Sequence, residues 1–238
     1  MIAKKIAGKK KLTVSKPRRN ALKSQDKMIG DFKLGRFVSG GAFGDIFLLA
    51  DDTSKIIKVP TGLIDLGDDL TISERYDMVL RGKLGLKDEA QLYKKYNLNK
   101  EPFFIPTQLI TFRDNTFKKA TYTAFIRPRI TPITDKVIRV TDSARNRVTR
   151  SMLEGMRQKL ITLSNKGFVF PLWLQVGYDT AGRLLIYDVE DIEKHKTGNS
   201  AIFTHNNKVW MNFLWNSHIV DYRISEDEIV RKYGGITR

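Results

Sequence analysis

The chain has 238 residues, enough to bury a sizeable core either as one domain or as two lobes sharing a cleft. Hydrophobic residues at 41% and charged residues at 29% describe an ordinary globular protein, and no apolar run approaches the roughly 20 residues of a membrane-spanning helix. The absence of cysteine excludes disulfides and thiolate zinc sites, while a formal net charge of +16 points to an acidic partner.

That charge is concentrated at the start. Residues 1–27 hold Lys4, Lys5, Lys9, Lys10, Lys11, Lys16, Arg18, Arg19, Lys23 and Lys27 against Asp26 alone. With few large apolar residues, residues 1–30 are expected to form a disordered basic arm that contacts nucleic acid or an acidic protein, since clustered cations bind polyanions by releasing counterions. A solvated tail that only aids solubility is the plainer alternative. The arm lacks the apolar stretch of a secretory signal, so the expected location is intracellular, nuclear or cytoplasmic, or inside a virion, with no secretion and no membrane partner.

Residues 32–49 alternate as a strand, a glycine turn and a second strand. Ser39, Gly40, Gly41 and Gly44 form the turn, and Val38, Phe43, Ile46 and Phe47 flank it. Residues 55–59 predict a third strand, in which Lys58 follows the β-branched pair Ile56 and Ile57. Residues 61–86 read as an irregular insertion with a short helix over 73–80. A separate helix over 87–96 carries Glu89, keeps Leu86, Ala90 and Tyr93 on one face, and ends near Asn97. Strands over 105–113 and 120–130, with a turn at Asp114 and Asn115, complete a five-stranded antiparallel sheet with one helix.

Further on, Val148, Met152, Met156, Leu160 and Leu163 predict a helix within 142–166, stopped by Asn165, Lys166 and Gly167. Apolar runs at 168–176 and 183–189 flank a turn over 178–182. Residues 190–207 are polar and read as a loop; 209–219 and 225–233 predict short helices, the second opened by Ser225 and Glu228. Trp173, Trp210, Phe213 and Trp215 offer either a stacking platform or core, and the helical spacing within 209–219 favours core. His195, His205 and His218 are ten and thirteen residues apart, a spacing that matches no compact metal motif.

The order of these parts resembles a eukaryotic-type protein kinase, with wording similar to the casein kinase and vaccinia-related kinase branch in FKLGRFVSGGAFGDIFL and in a helical glutamate, Glu89, followed four residues later by Tyr93. The resemblance implies an α+β, kinase-like two-lobe fold, with a five-stranded lobe over 31–130 and a reduced helical lobe over 131–238. It implies ATP and magnesium as ligands. Ser39, Gly40, Gly41 and Gly44 would cover the phosphates, Lys58 would pair with them, Glu89 would hold Lys58, and Asp188 would bind the metal.

Departures from the family pattern qualify its activity. Ser39 replaces the first glycine of the loop, and Asp188, Val189 and Glu190 stand for Asp-Phe-Gly. Counting thirteen residues back from Asp188 reaches Gln175 instead of asparagine, and the catalytic aspartate's place falls on Phe170. The segment GFVFPLWLQ, residues 167–175, contains no acid, histidine or basic residue, so it supplies no general base. Asp179 beyond it belongs to a turn, where aspartate usually bonds its own backbone. The expected function is therefore a pseudokinase that binds ATP and acts through a protein partner. An active divergent serine/threonine kinase is one alternative, and a structural nucleic-acid-associated or virion protein is the other.

Overall fold

A computed structural model of the chain describes residues 27–67, 69–114, 120–134, 147–221 and 223–237. Residues 1–26 of the basic arm and the turn residue Asn115 lie outside the described residues, as do the first residues of the helix expected from 142.

The first half is built on a single antiparallel sheet. Strands β1 (Met28–Ile29), β2 (Phe32–Gly40), β3 (Gly44–Leu49), β4 (Lys55–Pro60), β5 (Gln108–Asp114) and β6 (Ala120–Pro128) pair in the order β1-β2-β3-β4-β6-β5. This corrects the expected fold class: the sheet has six strands, and the kinase-like two-lobe architecture with a five-stranded sheet does not hold. The sixth strand comes from residues assigned to the arm. Gly30, at φ +59, turns the chain so that Ile29 pairs with Phe32 and is fully buried. Burial of one isoleucine offsets the cost of ordering the short strand, an effect of about 2 kcal/mol.

The sheet packs against helix α1 (Ile72–Tyr96), which replaces the expected insertion and two separate helices. Thr71 caps it: its hydroxyl accepts from Glu74 N (3.2 Å) while the Glu74 carboxylate accepts from Thr71 N (2.9 Å). Gly82 and Gly85 are poor helix formers, yet the helix runs through both. A Cβ on Gly82 would sit 2.7 Å from Thr61 N and 2.8 Å from Phe43 O; one on Gly85 would sit 2.5 Å from the Phe43 ring. The missing side chains let the tip of the glycine turn lie on the helix. Asn97, in the left-handed region at φ 54, ends α1 as expected.

A 3-10 turn (Leu98–Lys100) leads to β5, which starts three residues later than expected because Phe104 and Ile105 pair with Ile186. The second half mixes strands and helices and is not purely helical. Strand β7 (Thr131–Pro132) is followed by α2 (Arg150–Asn165), β8 (Phe168–Val169), β9 (Val176–Tyr178), β10 (Leu184–Ile186), β11 (Glu193–Lys194), α3 (Ser200–Asn216) and α4 (Glu226–Tyr233). Three short strands order as β10-β9-β7, and β8 pairs with β11. Helix α3 begins inside the stretch expected as a loop, because Asn199 accepts from Ile202 N (3.0 Å) and Phe203 and Asn206 are buried. Gly167, at φ +84, follows α2, and Ser225 caps α4, both as read from the sequence.

Three hydrophobic clusters result among the described residues, the smallest made of Leu86, Ala90 and Phe125. Another lines the sheet and the first turns of α1 around Phe47, Ile57, Val59 and Val79. The largest joins Tyr93, Phe104, Leu160, Phe168, Phe170, Trp210 and Phe213. Trp210 and Phe213 are core, as expected; Trp215 is half-buried, and Trp173, 53% exposed, departs from that expectation.

Candidate functional site

The site forms where β4, α1, β6 and the segment after β10 meet. Lys58 lies on β4 opposite Ile46 of β3 and Phe125 of β6, and its ammonium donates to Glu89 Oε2 at 2.9 Å. Glu89 is 1% exposed and Lys58 12%. A helix residue 31 positions away thus meets the strand lysine, the pairing that the resemblance implied. The pair sits beside the glycine turn: a Cβ on Gly44 would be 2.6 Å from Lys58 Cγ and 2.8 Å from Cε, so only glycine leaves room for the lysine stem.

The turn itself is tightly closed. Gly41 N donates to Gly44 O (2.9 Å), the Thr61 hydroxyl donates to Gly41 O (2.8 Å), and Asp45 accepts from Gly62 N (2.9 Å). Ser39 pairs with Ile46 and Gly40 with Asp45 at the end of the β2–β3 ladder. Ser39, Gly40, Gly41 and Gly44 therefore share one hairpin tip next to Lys58.

Sequence reasoning missed Arg127. Its guanidinium reaches Glu89 Oε1 at 2.5 Å, donates through Nε to Thr107 Oγ1 at 2.9 Å and through Nη1 to Tyr187 O at 3.0 Å. It lies 4.7 Å from the Phe125 ring centroid and 5.4 Å from that of Tyr93. One signal was legible: an arginine that directly follows the apolar run Ala124, Phe125, Ile126 is buried only if it has partners.

Asp188 follows β10 and Tyr187. Gln175, thirteen residues earlier, donates to Asp188 Oδ2 at 2.8 Å, and Glu190 N donates to Oδ1 at 3.3 Å. The count from the sequence therefore found a residue that does touch Asp188. Among the described residues no three His, Asp or Glu side chains group to hold a metal ion, so Asp188 stands with an amide partner and without a ready-made cage. Magnesium sites built from one or two carboxylates plus ligand phosphates need no such cage.

The electrostatics follow from burial and charge together. Burial disfavours the Glu89 carboxylate, yet Arg127 and then Lys58 outweigh it and hold its pKa below the usual range. Burial likewise opposes the Lys58 ammonium, but Glu89 and Asp188 overcome it and keep the lysine protonated. Glu190, half-buried, is pushed up to about 7 by burial first and then by Asp188.

Phe170 and Asp179 are both engaged by the scaffold. Phe170 is buried, its N–H donating to Asn206 Oδ1 (3.2 Å) and its carbonyl 2.7 Å from His205 Nε2. Asp179 is occupied by its own turn, accepting from Ala181 N (3.0 Å), Arg183 N (2.9 Å) and Arg183 Nε (2.8 Å).

No family model matches the chain, and no curated protein matches it. Among solved structures, the apo form of PpkA-294 is similar over 71% of this chain, at 14% identity and a TM-score of 0.44. This chain spans 61% of that chain's length. Among the described residues no helix is long and apolar enough to cross a membrane.

Proposed function

We propose that the protein binds the phosphates of a nucleotide, with ATP and magnesium as the pair to test, and acts through binding without phosphoryl transfer, in the manner of a pseudokinase. The observation that carries this reading is the buried Lys58–Glu89 pair, 2.9 Å apart, beside a glycine hairpin in which Gly44 alone makes room for the lysine. A protonated lysine next to a close-approach turn receives phosphate oxygens, and Asp188 supplies hard oxygen ligands for a divalent ion. The residues present fit the implied ligands in these respects.

Two carboxyl groups act on the same lysine, Asp188 and Glu190, the second with its pKa pushed up to about 7 and so only partly ionised near neutral pH. A bare polyphosphate is repelled by their charge, so a divalent cation is part of the proposed binding reaction. The absence of any acid across residues 167–175 supports binding over catalysis, because a hydroxyl nucleophile then has no carboxylate to accept its proton. Residues 1–27, with ten basic side chains and one acid, supply contact with nucleic acid or an acidic protein.

Calorimetric titration with ATP, with and without magnesium, tests the reading. Binding is expected only with magnesium and is lost in Lys58→Met and in Asp188→Ala, with no labelled phosphate transferred to protein substrates. Unaltered affinity in Lys58→Met, or no binding at millimolar ATP, refutes it.

A further inference from the structure

Glu89 has two cationic partners, and the second one changes what the first can do. A lysine paired one-to-one with a glutamate is a neutral unit whose field falls off steeply beyond a few ångströms, and such a lysine draws an anion weakly. With Arg127 at 2.5 Å from Oε1 and Lys58 at 2.9 Å from Oε2, the three buried groups carry a net +1. The carboxylate's other oxygen is already satisfied, so Lys58 retains ammonium protons that Glu89 does not claim.

The geometry of Arg127 is also that of a bolt. Its Nη2 holds α1 through Glu89, its Nε holds Thr107 just before β5, and its Nη1 holds the carbonyl of Tyr187, the residue directly before Asp188. It reaches all of these from β6, two residues beyond the position that faces Lys58 in the ladder. A planar fork with fixed donors suits this task, and lysine has only a point charge to offer in its place.

We infer that Arg127 is the positioning residue of this site: it holds Glu89, Lys58 and the backbone before Asp188 in register without a bound ligand, and leaves Lys58 with surplus charge for a polyphosphate. The inference deepens the proposed function and rests on it for the identity of the anion, although the arrangement of the three side chains stands by itself. Charged groups facing Lys58 are Glu89, Arg127, Asp188 and Glu190.

The test compares wild type, Arg127→Met and Arg127→Lys in the full chain, with two readouts. The first is the rate at which an amine-acylating reagent modifies Lys58 at pH 8, followed by mass spectrometry of its peptide. In Arg127→Met, Glu89 pairs with Lys58 alone and the ammonium is held more firmly, so the midpoint of the rate's pH profile, taken alongside the rate, is expected to move to higher pH even where a looser site raises access to Lys58. A residue that merely filled space would change access without adding to the hold on the proton; a midpoint that stays in place or moves to lower pH overturns the inference. The second readout is affinity for inorganic triphosphate with magnesium, expected to fall at least tenfold in Arg127→Met and to recover only in part in Arg127→Lys, which restores the charge but not the fork. Equal affinity in Arg127→Met overturns the charge argument. If wild type binds no triphosphate, the phosphate reading falls while the modification rates still decide the role of Arg127. Should Arg127→Met fail to fold, Arg127→Lys decides: its charge is expected to keep the pH midpoint of Lys58 modification in place while triphosphate affinity falls severalfold for want of the fork, and wild-type affinity overturns the inference.

Discussion

Substituting alanine for glycine within a helix makes a sharp test, because the same change is expected to have opposite signs at two sites. In an open helical position the replacement stabilises by about 1 kcal/mol, through lower unfolded-state entropy and better propensity. Gly155 in α2 is such a position: it is exposed, and a Cβ there meets nothing within 4 Å. Gly82 in α1 starts from the same gain of about 1 kcal/mol. Its added methyl, however, lies 2.7 Å from Thr61 N, 2.8 Å from Phe43 O and 3.1 Å from Pro60 Cα, all backbone atoms that cannot swing aside. Relief requires α1 to lift from the end of β4, with overpacking costs of about 1–3 kcal/mol and loss of the bond from Thr61 N to Phe43 O. The net expectation is destabilisation by about 2 kcal/mol for Gly82→Ala and stabilisation by about 1 kcal/mol for Gly155→Ala. Urea unfolding measures both, with equal slopes showing that the unfolded state is unchanged. If Gly82→Ala stabilises the protein, the close approach of the turn to the helix is not what selects glycine there.

Other substitutions separate the site from its scaffold. Gly44→Ala meets only the flexible Lys58 stem, so stability is expected to change by less than about 1 kcal/mol while magnesium-ATP affinity falls at least tenfold in calorimetry. Asp179→Ala is expected to cost about 2 kcal/mol in urea unfolding, since two backbone N–H groups and the Arg183 guanidinium lose their acceptor, and to leave nucleotide affinity unchanged. Glu190 has a folded pKa of about 7, above its ordinary value of 4.5, so the folded state holds the extra proton between those values and stability declines as pH rises through that window. Glu190→Gln is therefore expected to flatten the decline and to stabilise more at pH 8 than at pH 4; equal effects in thermal unfolding at the two pH values would contradict this origin.

Several features were readable from the residues alone because they depend on neighbours in the chain. The glycine hairpin, the strand bearing Lys58, the end of α1 at Asn97, the stop at Gly167 and the cap at Ser225 each follow from local backbone preference and patterning. The pairing of Lys58 with Glu89 was legible only through the resemblance, which implied it. The lack of any acid in residues 167–175 was legible outright, since no fold can supply a side chain that the segment does not contain.

Tertiary structure decided what depends on approach between distant segments. Helix α1, which takes up part of the stretch 61–86 read locally as an irregular insertion, accepts Gly82 and Gly85 at a propensity cost of only about 1 kcal/mol each, and the reason for them is Phe43, some forty residues away in sequence. Ile29 became a sixth strand because a hydrophobic surface was there to cover it. Arg127 acquired its meaning only when strand register set it beside a glutamate on a helix and the carbonyl of a third segment. Local pattern states which residues prefer burial; which charges meet inside is a property of the packed chain.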